Sequence, residues 1–209
     1  MATVTGIEEG RGRVSILLDG AVALRVPRAH YTKCPLQAGE ELDLTAYEDR
    51  LAAVQLSDAY EAALTALDAC ARTEREIGAI LRRKGFVSPA IEAVVLRLRE
   101  SGLLDDGRYA LRMAEAQSKR PVGIYAFRRR LRAKGISDDD AEEALAAFDD
   151  GQQRDACLQA ARGLWHKYAA LPPREARARL SQALARRGFG WDAVESAVQA
   201  LADGTDDLE

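Results

Sequence analysis

Cysteines, aromatic residues and long apolar runs are all scarce in this sequence. Its three cysteines, Cys34, Cys70 and Cys157, stand far apart along 209 residues. An odd, scattered set argues against a disulfide framework and favours a reducing compartment. No apolar run approaches the roughly 18 residues that a membrane-spanning helix needs, and no basic segment followed by an apolar one marks a signal peptide. We therefore expect a cytoplasmic protein that makes no membrane contact.

The residue patterns of common enzymes are missing as well. There is no GxxxxGK[ST] phosphate loop, and Gly10-Arg11-Gly12 precedes a predicted strand instead of opening a helix as a dinucleotide fingerprint would. Neither His30 nor His166 has a carboxylate or cysteine at the spacing of a metal site or a catalytic triad. We expect no catalytic residue, no metal and no cofactor.

An excess of basic residues is also lacking, because the formal net charge is −3. The whole molecule therefore does not resemble a general nucleic-acid binder, and any contact with a polyanion must come from a local patch. The composition is 47% hydrophobic but only 6% aromatic. Together with abundant alanine, leucine, arginine and glutamate, it favours helices that pack through small side chains.

One turn occurs three times and organises most of the chain. The segments 81–86, 131–136 and 184–189 read LRRKGF, LRAKGI and LARRGF. Their glycines, Gly85, Gly135 and Gly188, are 50 and then 53 residues apart. Glycine suits the left-handed residue that ends many helices, so each is predicted to be a structural turn at a helix end.

Apolar residues keep the same register around each glycine. They lie 8 and 4 residues before it, 1 residue after it, and then 6, 9, 10 and 13 residues after it. The last four positions have the spacing of one face of an amphipathic helix. The pattern predicts helix, glycine turn and helix in every repeat, with a further helix ahead of each. The residues are Ile77, Leu81, Phe86, Ile91, Val94, Val95 and Leu98; Phe127, Leu131, Ile136, Ala141, Ala144, Leu145 and Phe148; and Leu180, Leu184, Phe189, Val194, Ala197, Val198 and Leu201.

The first 50 residues do not share the repeat. Three β-prone runs, 4–7, 13–18 and 21–26, are followed by a fourth short run at 42–44. Asp19-Gly20 joins the second and third runs and predicts a two-residue type I′ hairpin. A single helical turn is predicted over 28–33. A segment this small has a marginal core, so we expect it to pack on the first helices.

The predicted fold is mainly α, with three tandem three-helix modules in an elongated array that follows a small N-terminal β domain. Helix starts are predicted at Ser57, at a capping box from Thr73 to Glu76, at Ser88-Pro89 and at Ser137. A helix from Asp105 to Lys119 is broken by Pro121. Cys70 and Cys157 are predicted to be buried thiols, and Trp165 and Trp191 core anchors. The predicted boundaries are 1–50, 51–104, 105–150 and 151–203, with a disordered acidic tail at 204–209.

Charge is concentrated in the middle module. Between Lys119 and Lys134 there are seven basic residues and no acidic one, whereas between Ser137 and Asp150 there are seven acidic residues and no basic one. Helical geometry places Tyr125, Arg128, Arg129 and Arg132 on a flank beside the apolar face, as in a surface for a polyanion or a protein. The alternative is helix stabilisation, because the helix macrodipole favours basic residues in a last turn, as in Arg82-Arg83-Lys84.

Several motifs in this order resemble the RecX family of RecA modulators. The resemblance covers about residues 57–202, and the β segment resembles an extension that some members carry. One departure is a thinner basic lead, Ala71-Arg72-Thr73, into the first capping box. The matching motifs are 72–76, 81–86, 104–106 with 108–110, Pro121 with Gly123, 131–136 and 187–189.

The resemblance implies a monomeric, non-enzymatic regulator of recombination, DNA repair and the SOS response. Such a protein binds in the groove of the RecA filament on single-stranded DNA, lowers its ATP hydrolysis and strand exchange, and favours disassembly. Direct binding to single-stranded DNA is expected to be weak. The residues expected to bind the partner are Arg82, Arg83, Lys84, Tyr125, Arg128, Arg129, Arg132, Lys134, Arg186 and Arg187.

Two other functions stay open on sequence alone. The helix pairs could form a stand-alone, helix-turn-helix-like DNA-binding protein, although the acidic helix after the middle turn would be repelled by a major groove. A helical scaffold without either activity is the third possibility.

Overall fold

The computed structural model describes residues 1–117, 122–146 and 148–206, with the side chains of 202–206 left aside. The chain divides into two compact units, Met1–Asp105 and Asp106–Glu209. Each unit is mainly helical, and the first also carries the predicted small sheet. The expected fold class, a mainly α protein with three helical modules after an N-terminal β segment, is confirmed.

An antiparallel sheet of four strands opens the first unit, in the order β3-β2-β1-β4. The Asp19-Gly20 hairpin is confirmed, since both residues have positive φ, 48° and 84°, as a type I′ turn requires. The fourth strand is shorter than predicted. The elements are β1 Ala2–Glu9, β2 Arg13–Leu18, β3 Ala21–Pro27, the single-turn helix α1 Arg28–Tyr31, and β4 Glu41–Leu42.

Helix α2, Leu44–Ala69, corrects the predicted helix start at Ser57. The Asp43 carboxylate caps the helix by accepting hydrogen bonds from the backbone N–H groups of Thr45 and Ala46. No proline or glycine interrupts the next 26 residues, so Ser57 lies in the middle of a continuous helix. The predicted boundary at residue 50 therefore falls inside α2.

Two more helices complete the first module, α3 Glu74–Lys84 and α4 Ser88–Glu100. The capping box is confirmed, because Thr73 accepts from the Glu76 N–H and the Glu76 side chain accepts from the Thr73 N–H. Helix α3 ends at Gly85 with φ 93°. The α4 cap differs by one residue: Val87 is the N-cap, and Ser88 is already helical.

The second unit holds six helices among its described residues. Gly135 and Gly188 have φ 88° and 85°, so the left-handed turn occurs in all three modules. Helix α10 continues through the first three residues of the predicted tail, and 207–209 lie outside the described residues. The predicted end of α5 at Lys119 and the break at Pro121 also lie outside them. The helices are α5 Asp106–Gln117, α6 Ile124–Lys134, α7 Asp138–Leu145, α8 Asp150–Trp165, α9 Pro173–Arg186 and α10 Trp191–Asp206.

The repeated apolar positions form the cores of the modules. The residues 8 and 4 before each glycine are all completely buried, and the residue after each glycine is at most 8% exposed. Each module has one apolar cluster, and a fourth cluster joins the sheet to the first half of α2. The shared register therefore specifies one packing solution three times.

Two predicted core residues are on the surface instead. Cys70 ends α2 in an extended conformation and is exposed. Trp191 begins α10 and is 70% exposed, whereas Trp165 packs against the core of the third module as predicted. Both errors fall at helix ends, where the chain leaves the apolar stripe.

No helix among the described residues has both the length and the apolar character to cross a membrane. Nor do these residues bring together three histidine, cysteine or acidic side chains in a group that could hold a metal ion.

Candidate partner-binding surface

The first basic turn contacts the sheet through its backbone. The Arg83 carbonyl accepts a hydrogen bond of 2.6 Å from Arg13 Nη2. A Cβ atom on Gly85 would lie 3.0 Å from the Arg25 carbonyl oxygen and 3.1 Å from Pro27 Cδ. The glycine therefore allows both the left-handed turn and the close approach to β3. The side chains of Arg82, Arg83 and Lys84 remain exposed beside this contact.

A buried glutamine holds the same turn from the other side. Gln55 on α2 is completely buried. Its Nε2 donates to the Gly85 carbonyl at 3.3 Å, and its Oε1 accepts from the Val87 N–H at 2.8 Å. These bonds satisfy two backbone groups that follow α3. Gln55 is not among the residues predicted from the sequence, where its signal is a polar residue on the buried face of an uninterrupted helix.

The basic residues of α6 are not all available for a partner. Arg128 Nη2 lies 2.7 Å from Glu142 Oε1, and Arg132 Nε lies 3.0 Å from Asp138 Oδ1. The basic helix and the acidic helix α7 thus face each other, so the two charge runs partly neutralise within the module. Lys134 lies over the ring of Tyr109, with Nζ 5.7 Å from its centroid.

The start of α6 is capped by the third module. It has no side-chain cap of its own. Instead, the Gly123 N–H donates to the Arg187 carbonyl at 3.3 Å and the Tyr125 N–H to the Gly188 carbonyl at 3.0 Å. The Ile124 N–H donates to Gln153 Oε1 at 3.1 Å. The N–H groups at the start of α6 have no acceptors within their own helix. Residues of α8 and residues that follow α9 supply the acceptors instead.

Two glycines make this junction possible. A Cβ atom on Gly123 would overlap the backbone of Gly188, and one on Gly188 would overlap the backbone of Ala126. Any side chain at either position would separate the second and third modules. We call this backbone contact the module 2–3 junction.

Four arginines meet beside the module 2–3 junction. They border an open cleft of about 460 Å³, and all four are exposed. Arg130 also donates from Nη1 to Gln117 Oε1 at 2.7 Å. We call this the junction cleft; its lining residues are Val122, Ala126, Arg129, Arg130, Ala133, Arg186 and Arg187.

Two exposed aromatic residues adjoin the same junction. Tyr125 is 54% and Trp191 is 70% exposed. A Cβ atom on Gly190 would lie 3.6 Å from Tyr125 Cε2, and Trp191 follows Gly190 directly. The structure thus gathers Tyr125, Arg129 and the third basic turn at one place, while Arg82, Arg83 and Lys84 belong to the other unit. Trp191 and Arg130, which also lie here, are not among the residues predicted from the sequence.

Cys157, the cysteine of the second unit, offers no nucleophile at this surface. Cys157 is completely buried, and burial raises the pKa of its thiol to about 11. A thiol with so high a pKa stays protonated near neutral pH, where it is a poor nucleophile.

Comparison with known proteins also finds three successive three-helix domains. Three family models match in order along the chain: RecX, first three-helix domain, at residues 59–98; RecX, second three-helix domain, at 105–145; and RecX, third three-helix domain, at 152–198. A curated protein of Limosilactobacillus reuteri, "Regulatory protein RecX", is 30% identical over 202 residues, which are 93% of this chain and 75% of that protein. A namesake from Bacillus licheniformis is 30% identical over 93% of this chain and 74% of its own.

Solved structures agree with these matches. A crystal structure of regulatory protein RecX has a TM-score of 0.66 and 28% identity, and the match covers 93% of this chain and 98% of that one. The crystal structure of RecX from Lactobacillus salivarius has a TM-score of 0.65 and 27% identity, over 72% of this chain and 98% of that one.

Proposed function

Because the chain belongs to the RecX family of regulatory proteins, we propose that it binds the RecA filament on single-stranded DNA and inhibits it. In this proposal it lowers ATP hydrolysis and strand exchange or promotes disassembly. It acts as a cytoplasmic monomer without cofactor or catalytic residue. The observation that carries the proposal is the match of three successive RecX domain models to the three helical modules.

The charge distribution supports binding through several weak contacts. Exposed arginines lie at the first and third glycine turns, and in each case the turn is fixed by backbone hydrogen bonds. Side chains held on a fixed backbone lose less conformational freedom when they bind. Contacts from more than one module to a repetitive filament would add avidity, although each contact alone is weak.

The direct test is the single-stranded-DNA-dependent ATPase of RecA, measured while the full chain is titrated in. The expected result is a progressive fall in ATP hydrolysis. An unchanged rate at stoichiometric excess over RecA would contradict the proposal and favour a helical scaffold. Adding the protein before and after filament assembly distinguishes blocked assembly from promoted disassembly.

The stand-alone DNA-binding alternative is less well supported. A helix-turn-helix reader inserts the helix after the turn into the major groove. In the second module that helix is α7, and five of its eight residues are acidic. Phosphates on both sides of the groove would repel it.

A further inference from the structure

We propose that the junction cleft, together with Tyr125 and Trp191, binds a short segment of single-stranded DNA. The arginines would hold phosphates, and the two aromatic rings would stack on bases. The inference rests on the proposed function for its biological setting. Its test contains no RecA, so the two can fail separately.

Unpaired positive charge is the first reason. None of the described residues forms an ion pair with Arg129, Arg186 or Arg187. By contrast, Arg128 and Arg132, on the same helix as Arg129, are each paired with an acid of α7. The seven described residues that line the cleft include no carboxylate. Guanidinium groups bind phosphate oxygens with two parallel hydrogen bonds, so a gathered, unpaired set is suited to a phosphodiester backbone.

Rigid placement is the second reason. Arg129 and Arg130 come from α6, whereas Arg186 and Arg187 come from the end of α9. The module 2–3 junction fixes these two elements against each other through the backbone bonds of Gly123 and Tyr125. Because the backbone segments that carry the four arginines are already held together, a ligand has only their side chains to order, and less of the binding free energy is lost.

The aromatic residues favour a nucleic acid over an acidic protein surface. Tyr125 precedes Arg129 by four residues, so both project from the same face of α6. Trp191 stands next to Gly190, which lies against the Tyr125 ring. Exposed aromatic rings beside a basic groove are typical of proteins that bind single strands, since every base has a face that can stack. A duplex hides these faces, so the arrangement favours unpaired bases.

The main experiment measures binding of the full-length chain to a fluorescein-labelled oligothymidylate across a series of salt concentrations. The variant Arg186→Gln with Arg187→Gln is compared with Arg174→Gln with Arg177→Gln. Both pairs remove two charges from the α9 region, and all four arginines are exposed without an ion pair among the described residues. Glutamine at position 187 keeps the backbone carbonyl that caps α6.

The junction pair is expected to bind at least about 10-fold more weakly at low salt. Its salt dependence should be shallower by about 1.4 in the slope of log K against log salt concentration, because two phosphate contacts on a single strand are lost. Arg129→Gln should give half that change in slope. The control pair should bind like the original chain. Equal losses in both pairs, or no loss in the junction pair, would overturn the proposal.

A second experiment tests stacking at Trp191. Trp191→Ala is expected to weaken oligothymidylate binding roughly 5- to 100-fold without changing the salt slope, since no charge is removed. Trp191→Phe keeps an aromatic face and should retain most of the affinity. Circular dichroism checks that both variants are folded. If Trp191→Ala binds oligothymidylate as tightly as the original chain, the ring does not stack and the nucleic-acid assignment is wrong.

Poly-glutamate is the competing probe, because it is a polyanion without bases. The expected result is weak competition for the oligonucleotide. If poly-glutamate binds tightly through Arg186 and Arg187, and Trp191→Ala leaves oligothymidylate binding unchanged, the cleft accepts an acidic protein instead. If the chain binds the oligonucleotide normally but does not change the RecA ATPase, this inference stands and the proposed function is wrong.

Discussion

The turns at Gly85 and Gly188 have nearly the same sequence and contact two different partners. In the first unit, the Gly85 turn lies on β3 and is held by the Gln55 side chain. In the second, the Gly188 turn lies on the start of α6 and supplies carbonyl groups to its free N–H groups. The repeated turn therefore ends a helix and also packs against another structural element. The two turns differ in the surface that lies beside this contact.

The largest expected effect comes from filling the module 2–3 junction. Gly188→Ala places a Cβ atom on the Ala126 backbone and forces alanine to φ 85°. The left-handed conformation costs about 1–2 kcal/mol, and overpacking adds about 1–3 kcal/mol. Urea unfolding should therefore show a loss on the order of 3 kcal/mol.

The matched control is Gly163→Ala in α8. A Cβ atom there meets nothing within 4 Å, so alanine should stabilise the helix by about 0.5–1 kcal/mol. Between these two lies Gly135→Val, for which the left-handed turn alone gives an expected loss on the order of 1 to 2 kcal/mol. If Gly188→Ala is as stable as the original chain, the junction does not form as described.

The side-chain supports of the two turns form the next comparison. Gln55→Leu leaves two buried backbone groups without partners, so we expect a total loss of about 2 kcal/mol, at the lower end of the roughly 1–3 kcal/mol that each such group can cost. Gln153→Ala removes only one cap from the half-buried start of α6 and should cost about 1 kcal/mol. Urea unfolding of the two variants measures the difference. Equal losses of unfolding free energy in the two variants would show that burial of the Gly85 turn does not increase the cost of removing its support.

The paired flank of α6 gives a smaller effect on stability. Arg128→Glu with Arg132→Glu places acids beside Glu142 and Asp138, so we expect a loss of about 1 kcal/mol as well as weaker inhibition of RecA. The two effects are separated by Arg132→Glu with Asp138→Arg, which restores the ion pair in reverse. If this swap regains stability but still inhibits weakly, Arg132 contacts the filament. Full inhibition by the double-glutamate variant would exclude the flank from the contact.

The smallest perturbation is chemical modification of the thiols. Cys70 is exposed, whereas Cys34 and Cys157 are buried. A thiol reagent at neutral pH should label Cys70 rapidly in the folded protein and the other two only after unfolding.

Because the folded-state pKa of Cys157 is raised to about 11, its burial favours folding below the thiol's ordinary pKa. That contribution disappears as the pH rises through about 11. Rapid labelling of Cys157 in the folded protein would contradict this.

Features set by neighbouring residues could be predicted from the sequence. The Asp19-Gly20 hairpin, the Thr73 capping box and the glycine turns each depend on a few adjacent positions with strong conformational preferences. The buried register around each glycine was equally accessible, because repetition made the periodicity unambiguous. The start of α2 was not, since both Asp43 and Ser57 are good caps and only the unbroken apolar face between them decides.

Features set by distant residues could not be predicted in this way. Arg128 and Glu142 are 14 positions apart, and their pairing depends on how α6 and α7 pack. The exposure of Trp191 depends on where α10 begins relative to the junction. Residue counts located the charge of the second module correctly, but they could not show which arginines were already occupied.

The junction between the second and third modules is built from peptide groups and two missing side chains. Its geometry therefore does not depend on which side chains most neighbouring residues carry. The side chains of Arg186 and Arg187 can be exchanged without loosening the junction, because the backbone carbonyls of Arg187 and Gly188 make the contact and the guanidinium groups do not. Attachment of the two modules and the proposed binding of a ligand thus depend on different groups, so substitutions that change the ligand preference should leave the module 2–3 junction intact.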